Sequence, residues 1–119
     1  MSIIQGPASA VHFNDALFEG DREFLAEILN LFLETCPKLL TAVEDAMSRN
    51  DAQAVRRAAH TLKGSVANFG APKVVACAQE LEMLGLEGNL TQAGMVWRAL
   101  QELVDELLLE MRVKLAEMQ

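Results

Sequence analysis

The chain has 119 residues, of which 51% are hydrophobic and 23% charged, enough for one core and too apolar for a disordered chain. A formal net charge of -7 argues against nucleic acid and anionic lipid as main partners. Its apolar runs are too short for a membrane span, no secretory signal pattern is present, and two cysteines, Cys36 and Cys77, make neither a disulfide framework nor a metal site, so a cytoplasmic protein is expected.

Leu, Ala and Glu number 18, 17 and 12, whereas Val, Ile and Thr together reach 16 and Tyr is absent. Strong helix formers dominate, and the expected class is all-α. Residues 1–12 carry Gly6, Pro7 and Ser9 without a period and read as a flexible leader; residues 13–119 read as the folded domain. His12, in that leader, is expected to have no role. Phe13 to Phe18 can form a short helical turn that lays Phe13, Leu17 and Phe18 on the rest.

Asp21 can cap a first long helix, with apolar positions at Phe24/Leu25, Ile28, Leu31/Phe32 and Thr35. Pro37 is expected to end that helix and open a second, running to Ser48 with Leu39/Leu40, Val43 and Met47 inward. After the turn Arg49-Asn50-Asp51, a third helix from Ala52 to about Asn68 steps through Ala52, Val55, Ala59, Leu62, Val66 and Phe69. Gly70 is a stop and Pro72 a start. A fourth helix reaches about Leu84, residues 85–89 form a loop with two glycines, and a final helix from Thr91 carries Met95, Trp97, Leu100, Leu103/Val104, Leu107/Leu108, Met111 and Leu115. At 1.5 Å per residue this last helix spans about 40 Å, longer than its neighbours require. The predicted fold is an antiparallel up-down four-helix bundle with an additional N-terminal capping helix, the first long helix together with the leader. Cys36 and Cys77 read as small core residues, and Trp97 as packed in the core or at its edge.

His60 stands one residue off the apolar seam of the third helix. Steps of three and four give it Arg56 and Arg57 behind and Lys63, Gly64 and Ala67 ahead, with Ser65 alongside. This face is neither core nor an ordinary charged surface. Gly64 in mid-helix costs about 1 kcal/mol relative to alanine. Two readings account for it: access for another protein's backbone to the imidazole, or close packing of a neighbouring helix. A largely neutral imidazole is a nucleophile, and Lys63 can neutralise an incoming phosphoryl group. Arg49, Arg56, Arg57 and Lys63 put four of the ten basic residues within fifteen positions. In an acidic chain, such a patch suits an acidic partner site.

The segment Ala59-His60-Thr61-Leu62-Lys63-Gly64-Ser65-Val66-Ala67-Asn68-Phe69-Gly70 resembles the signature of histidine-containing phosphotransfer (HPt) domains: His, any residue, Leu, Lys, Gly, five variable residues, Gly. The resemblance extends over roughly residues 13 to 110. It implies a phosphocarrier in a two-component phosphorelay, with His60 as the phosphorylated residue, Lys63 as the nearby cation and Gly64 keeping access open. In some relatives a glutamine on the next helix accepts a hydrogen bond from the histidine Nδ1. That position falls on Glu82, with Gln79 as the fallback. The implied partners are response-regulator receiver domains, docking on Arg56, Arg57, Ser65 and Ala67, and a hybrid sensor histidine kinase. No phosphate loop or carboxylate cluster suggests kinase activity or a metal of the chain's own; Mg²⁺ is expected on the partner receiver. A monomer is expected. The competing readings are a helical interaction module that is never phosphorylated, and a bundle that homodimerises through its Met- and Leu-rich last helix.

Overall fold

In a computed structural model, residues 14, 16 and 20–118 are described. Among them are four long helices and no strand: α1 (Arg22–Ser48), α2 (Ala52–Ala67), α3 (Pro72–Glu87) and α4 (Leu90–Glu117). Tight connections reverse the chain each time. α2 packs against α1 and α3, and α4 packs against α3 and α1, closing the bundle. The expected leader, His12 and the Phe13–Phe18 turn fall almost wholly outside the described residues.

The helix starts follow the expected chemistry. Asp21 accepts from Phe24 N at 2.8 Å and Asp51 from Ala54 N at 3.1 Å, while Pro72 opens α3 where no backbone donor is needed. Gly70 and Gly88 adopt φ of +83° and +76°, the left-handed region that lets the chain leave α2 and α3.

The separate capping helix over residues 21–36 is not found. α1 runs through Pro37 without a break, because one continuous face buries Leu25, Leu29, Phe32, Cys36, Val43 and Ala46 on both sides of the proline. Burying a large apolar side chain gains about 1.5–3 kcal/mol, so Leu25, Leu29, Phe32 and Val43 together outweigh the cost of about 3 kcal/mol for a proline inside a helix. That face also corrects the seam. Phe24 and Leu31 are exposed, and the buried register is 25-29-32-36.

With 27 residues, α1 matches the 28 of α4, so α4 is not longer than its neighbours require. The two lie antiparallel, with Arg22 Nη2 donating to Met118 O at 3.3 Å at one end and Trp97 Nε1 to Glu44 Oε1 at 2.8 Å lower down. α3 continues past Leu84 to Glu87, which moves Gly85 from the expected loop into the helix. In α4, Trp97, Leu100, Val104, Leu107, Leu108 and Met111 are buried as expected, but Met95 is exposed. Cys36 is fully buried, and burial first, with Asp105 second, pushes its thiol up to about 11, so it acts as an inert core residue. Cys77 is half-buried.

Candidate functional site

α2 keeps the predicted period. Val55, Ala59, Leu62 and Val66 are buried, and Phe69 beyond its end packs edge-on to Phe32 with ring centroids 4.8 Å apart. With that stripe fixed in the core, the opposite face is forced outward. His60 therefore stands on the flank of the bundle, its side chain 65% exposed. Gly64, one turn on, is exposed, and a Cβ built there would meet nothing within 4 Å. Among the described residues no helix approaches Gly64, which removes close packing as its explanation and leaves an open surface beside the imidazole. Ala67 is exposed and Ser65 half-buried on the same side.

α3 supplies the polar partners. Glu82 Oε2 lies 2.9 Å from His60 Nδ1, and Glu82 Oε1 lies 2.7 Å from Lys63 Nζ. Gln79 Oε1 accepts from the same Lys63 Nζ at 2.7 Å. Of the two residues considered for the histidine, Glu82 meets it and Gln79 does not; Gln79 serves the lysine. Spacing explains the division. On antiparallel helices His60 faces Glu82 and Lys63 faces Gln79, one turn apart.

The carboxylate is well shielded, with a side chain 15% exposed. Lys63 first, with His60 adding to it, holds the Glu82 carboxyl below its ordinary value of 4.5 against the opposing cost of desolvation. Glu82 is therefore ionised at neutral pH and can only accept. The hydrogen on the imidazole then belongs on Nδ1, and the lone pair on Nε2 points toward solvent. The group is an exposed imidazole with a partly shielded anion behind it and an ammonium at its side.

The surrounding basic patch is less free than the sequence suggests. Arg49 pairs with Asp45 at 2.9 Å and Asp51 at 3.2 Å, at the far end of α2 from Gly64. Arg56 Nε donates to Gln53 Oε1 at 3.0 Å, and Lys63 is held by Glu82. Arg57 is exposed on the α1 side of His60, where it lines a shallow cleft with Thr61 and Leu39. Among the described residues, no three His, Cys, Asp or Glu side chains converge to hold a metal ion.

The profile of the Hpt domain matches residues 27–112. The chain belongs to the Hpt domain family. That stretch spans most of α1, all of α2 and α3, and α4 as far as Arg112, and it includes every residue of the site. This Hpt domain also shares its fold with a solved structure, the histidine-containing phosphotransfer protein B (HptB) of Pseudomonas aeruginosa PAO1. The TM-score is 0.82 at 24% identity, covering 89% of this chain and 96% of that one. No curated protein matches the chain. As an Hpt domain, the chain is a histidine phosphotransfer protein of the phosphorelay type, its partners are phosphorelay proteins, and none of its described helices is long and apolar enough to cross a membrane.

Sequence reasoning missed two parts of the site. The Glu82–Lys63 ion pair links residues 19 positions apart, and only the α2–α3 register brings them together. Gly85 reads as loop composition beside Gly88, yet it is a buried helical residue against the backbone of α2.

Proposed function

We propose that His60 is the phosphoryl acceptor of this Hpt domain and works at Nε2. The imidazole lone pair attacks the phosphorus of a receiver-domain aspartyl phosphate in line. The N–P bond forms as the O–P bond breaks, and the aspartate carboxylate leaves with the bonding pair. The ring keeps its Nδ1 hydrogen and becomes cationic, and Glu82, 2.9 Å away, stabilises that charge. In the reverse direction a second receiver's aspartate attacks the phosphorus, and the neutral imidazole departs.

The observation that supports this reading best is the pairing of an exposed Nε2 with a shielded, ionised acceptor on Nδ1. Lys63 is the cation for the phosphoryl oxygens, and Gly64 leaves room for the partner. Arg56, Arg57, Ser65 and Ala67 border the docking surface. The reaction takes its Mg²⁺ from the partner receiver, and the Hpt domain acts as a carrier with no kinase chemistry of its own, in the cytoplasm, as a monomer. Incubation with a labelled, phosphorylated receiver tests this: the expected product carries acid-labile, base-stable label, lost in His60→Gln. Label that survives that substitution removes His60 from the role.

A further inference from the structure

Three pairs of residues face each other along the α2–α3 seam: Arg56 with Gly85, His60 with Glu82, and Lys63 with Gln79. The last two are side-chain hydrogen bonds of 2.9 and 2.7 Å. The first is a crossing of backbones. A Cβ at Gly85 would lie 2.8 Å from Arg56 N and 3.0 Å from both Arg56 Cα and Ala52 O. All three are main-chain atoms inside a helix, which cannot swing aside as a side chain can. The φ of Gly85 is not positive, so its small size, not its conformational freedom, is what this position uses.

The other mid-helix glycines differ. Gly64 has open space, and Gly94 in α4 has only Met47 Cε at 3.9 Å, an ordinary contact. A close backbone contact between α3 and α2 thus falls one turn from the His60–Glu82 bond. Relieving the contact at Arg56 N from 2.8 Å to the 3.4 Å of ordinary packing would move the backbones apart by about 0.6 Å. Applied to a 2.9 Å bond, that displacement reaches roughly 3.5 Å, the limit of useful hydrogen bonding.

We propose that Gly85 is a positioning residue for phosphoryl transfer: by seating α3 against the Arg56 backbone it holds Glu82 within reach of His60 Nδ1 and so selects the tautomer that presents Nε2. The consequence for transfer rests on His60 being the phosphoryl acceptor. The effect on the tautomer does not, and is read on the unphosphorylated protein.

The test is Gly85→Ala, made in a Gly94→Ala background that improves α4 without touching the site. Long-range ¹H–¹⁵N spectra report the His60 tautomer, and uptake from a phosphorylated receiver reports transfer. In the Gly94→Ala parent the Nδ1–H tautomer dominates. Adding Gly85→Ala gives a mixture of tautomers with helical content retained, and uptake slows about tenfold, the loss of one charge-assisted hydrogen bond. In a Glu82→Ala background, Gly85→Ala has no further effect on either readout, which a merely structural role would not produce. A folded Gly85→Ala protein with an unchanged tautomer ratio overturns the proposal, as does an equal loss when Glu82 is already absent. Should Gly85→Ala lose helical content, Glu82→Asp decides instead: it withdraws the carboxylate by one methylene and leaves the backbone crossing alone. A tautomer mixture there supports the dependence on reach, and an unchanged ratio overturns it. A tautomer shift with no phosphoryl uptake in the parent counts against His60 as acceptor and leaves the role of Gly85 standing.

Discussion

Glu82 holds Lys63 at 2.7 Å through the carboxylate oxygen that His60 does not use. One anion therefore serves two cationic or potentially cationic groups from behind, and before phosphorylation the lysine charge rests on the α3 side of the ring. A phosphoryl group on Nε2 would bring a second, larger negative charge within reach of the same ammonium. Glu82 and the phosphoryl oxygens then compete for Lys63, and the flexible four-carbon stem lets the ammonium follow.

Lys63→Ala is expected to slow phosphoryl transfer about tenfold, the scale of one partly solvated charge-assisted contact, without unfolding the bundle. Lys63 lies off the apolar seam, and its removal opens no core cavity. Stopped-flow transfer from a labelled receiver, paired with a thermal melt, separates the two effects. An unchanged rate would mean that the lysine only balances Glu82.

Glu82→Gln keeps an oxygen for Nδ1 but removes the charge that Lys63 and a cationic ring require. Slower transfer with a retained Nδ1–H tautomer is expected. The stability comparison has a definite sign. The folded-state carboxyl lies below its ordinary value of 4.5, so its contribution is fully present above that value. It is lost as the pH falls through the lowered folded-state value. Thermal melts of the wild type and Glu82→Gln should therefore differ most near neutrality and converge in acid. Curves separated by a constant gap down to strongly acidic pH would show that the Glu82 charge contributes nothing to stability.

The sequence made some of this legible for physical reasons. The period of α2 and the side-chain caps at Asp21 and Asp51 are local signals, and each survives in the fold. His60, Lys63 and Gly64 stand out because a glycine and charges interrupt what an amphipathic helix would otherwise repeat. Pro37 misled for an equally clear reason. Local preference predicts a helix boundary there, but the apolar face on both sides of it is continuous, and burial outweighs local preference. Gly85 misled in the opposite way: next to Gly88 it looks like loop composition, and only the approach of Arg56 shows why a helix needs a residue without a side chain there.

Gly64 predicts a trade between stability and access. With no described residue within 4 Å of its Cβ position, Gly64→Ala meets no clash and should stabilise α2 by about 0.5–1 kcal/mol through backbone entropy. Gly64→Leu should be tolerated by the fold as well, since the added side chain enters solvent. It should nevertheless block phosphoryl uptake, because the chain would stand where a receiver backbone must approach His60. Chemical denaturation measures the first effect and label transfer the second. A Gly64→Leu protein that transfers at the wild-type rate would show that the open surface beside His60 is not the route of approach.

Pro37 offers a gain the fold has left unused. It lies inside α1, exposed, and lacks the N–H that the carbonyl one turn back would accept. Thr41 Oγ1 donates to Pro37 O at 2.9 Å, so the turn after the proline has a local hydrogen bond of its own. Replacing Pro37 with alanine restores the donor and removes a helix penalty of about 3 kcal/mol. Against this stands the rigidity that proline gives the unfolded chain, worth about 0.4–1 kcal/mol. The balance favours alanine by about 2 kcal/mol, which corresponds to a rise in Tm of roughly 5–10 °C. No core contact is lost, because the ring faces solvent, and His60 lies on another helix, so phosphoryl transfer should be unchanged. A lower Tm for Pro37→Ala would mean that α1 needs the local geometry proline imposes to lay Phe32 and Val43 on the same core.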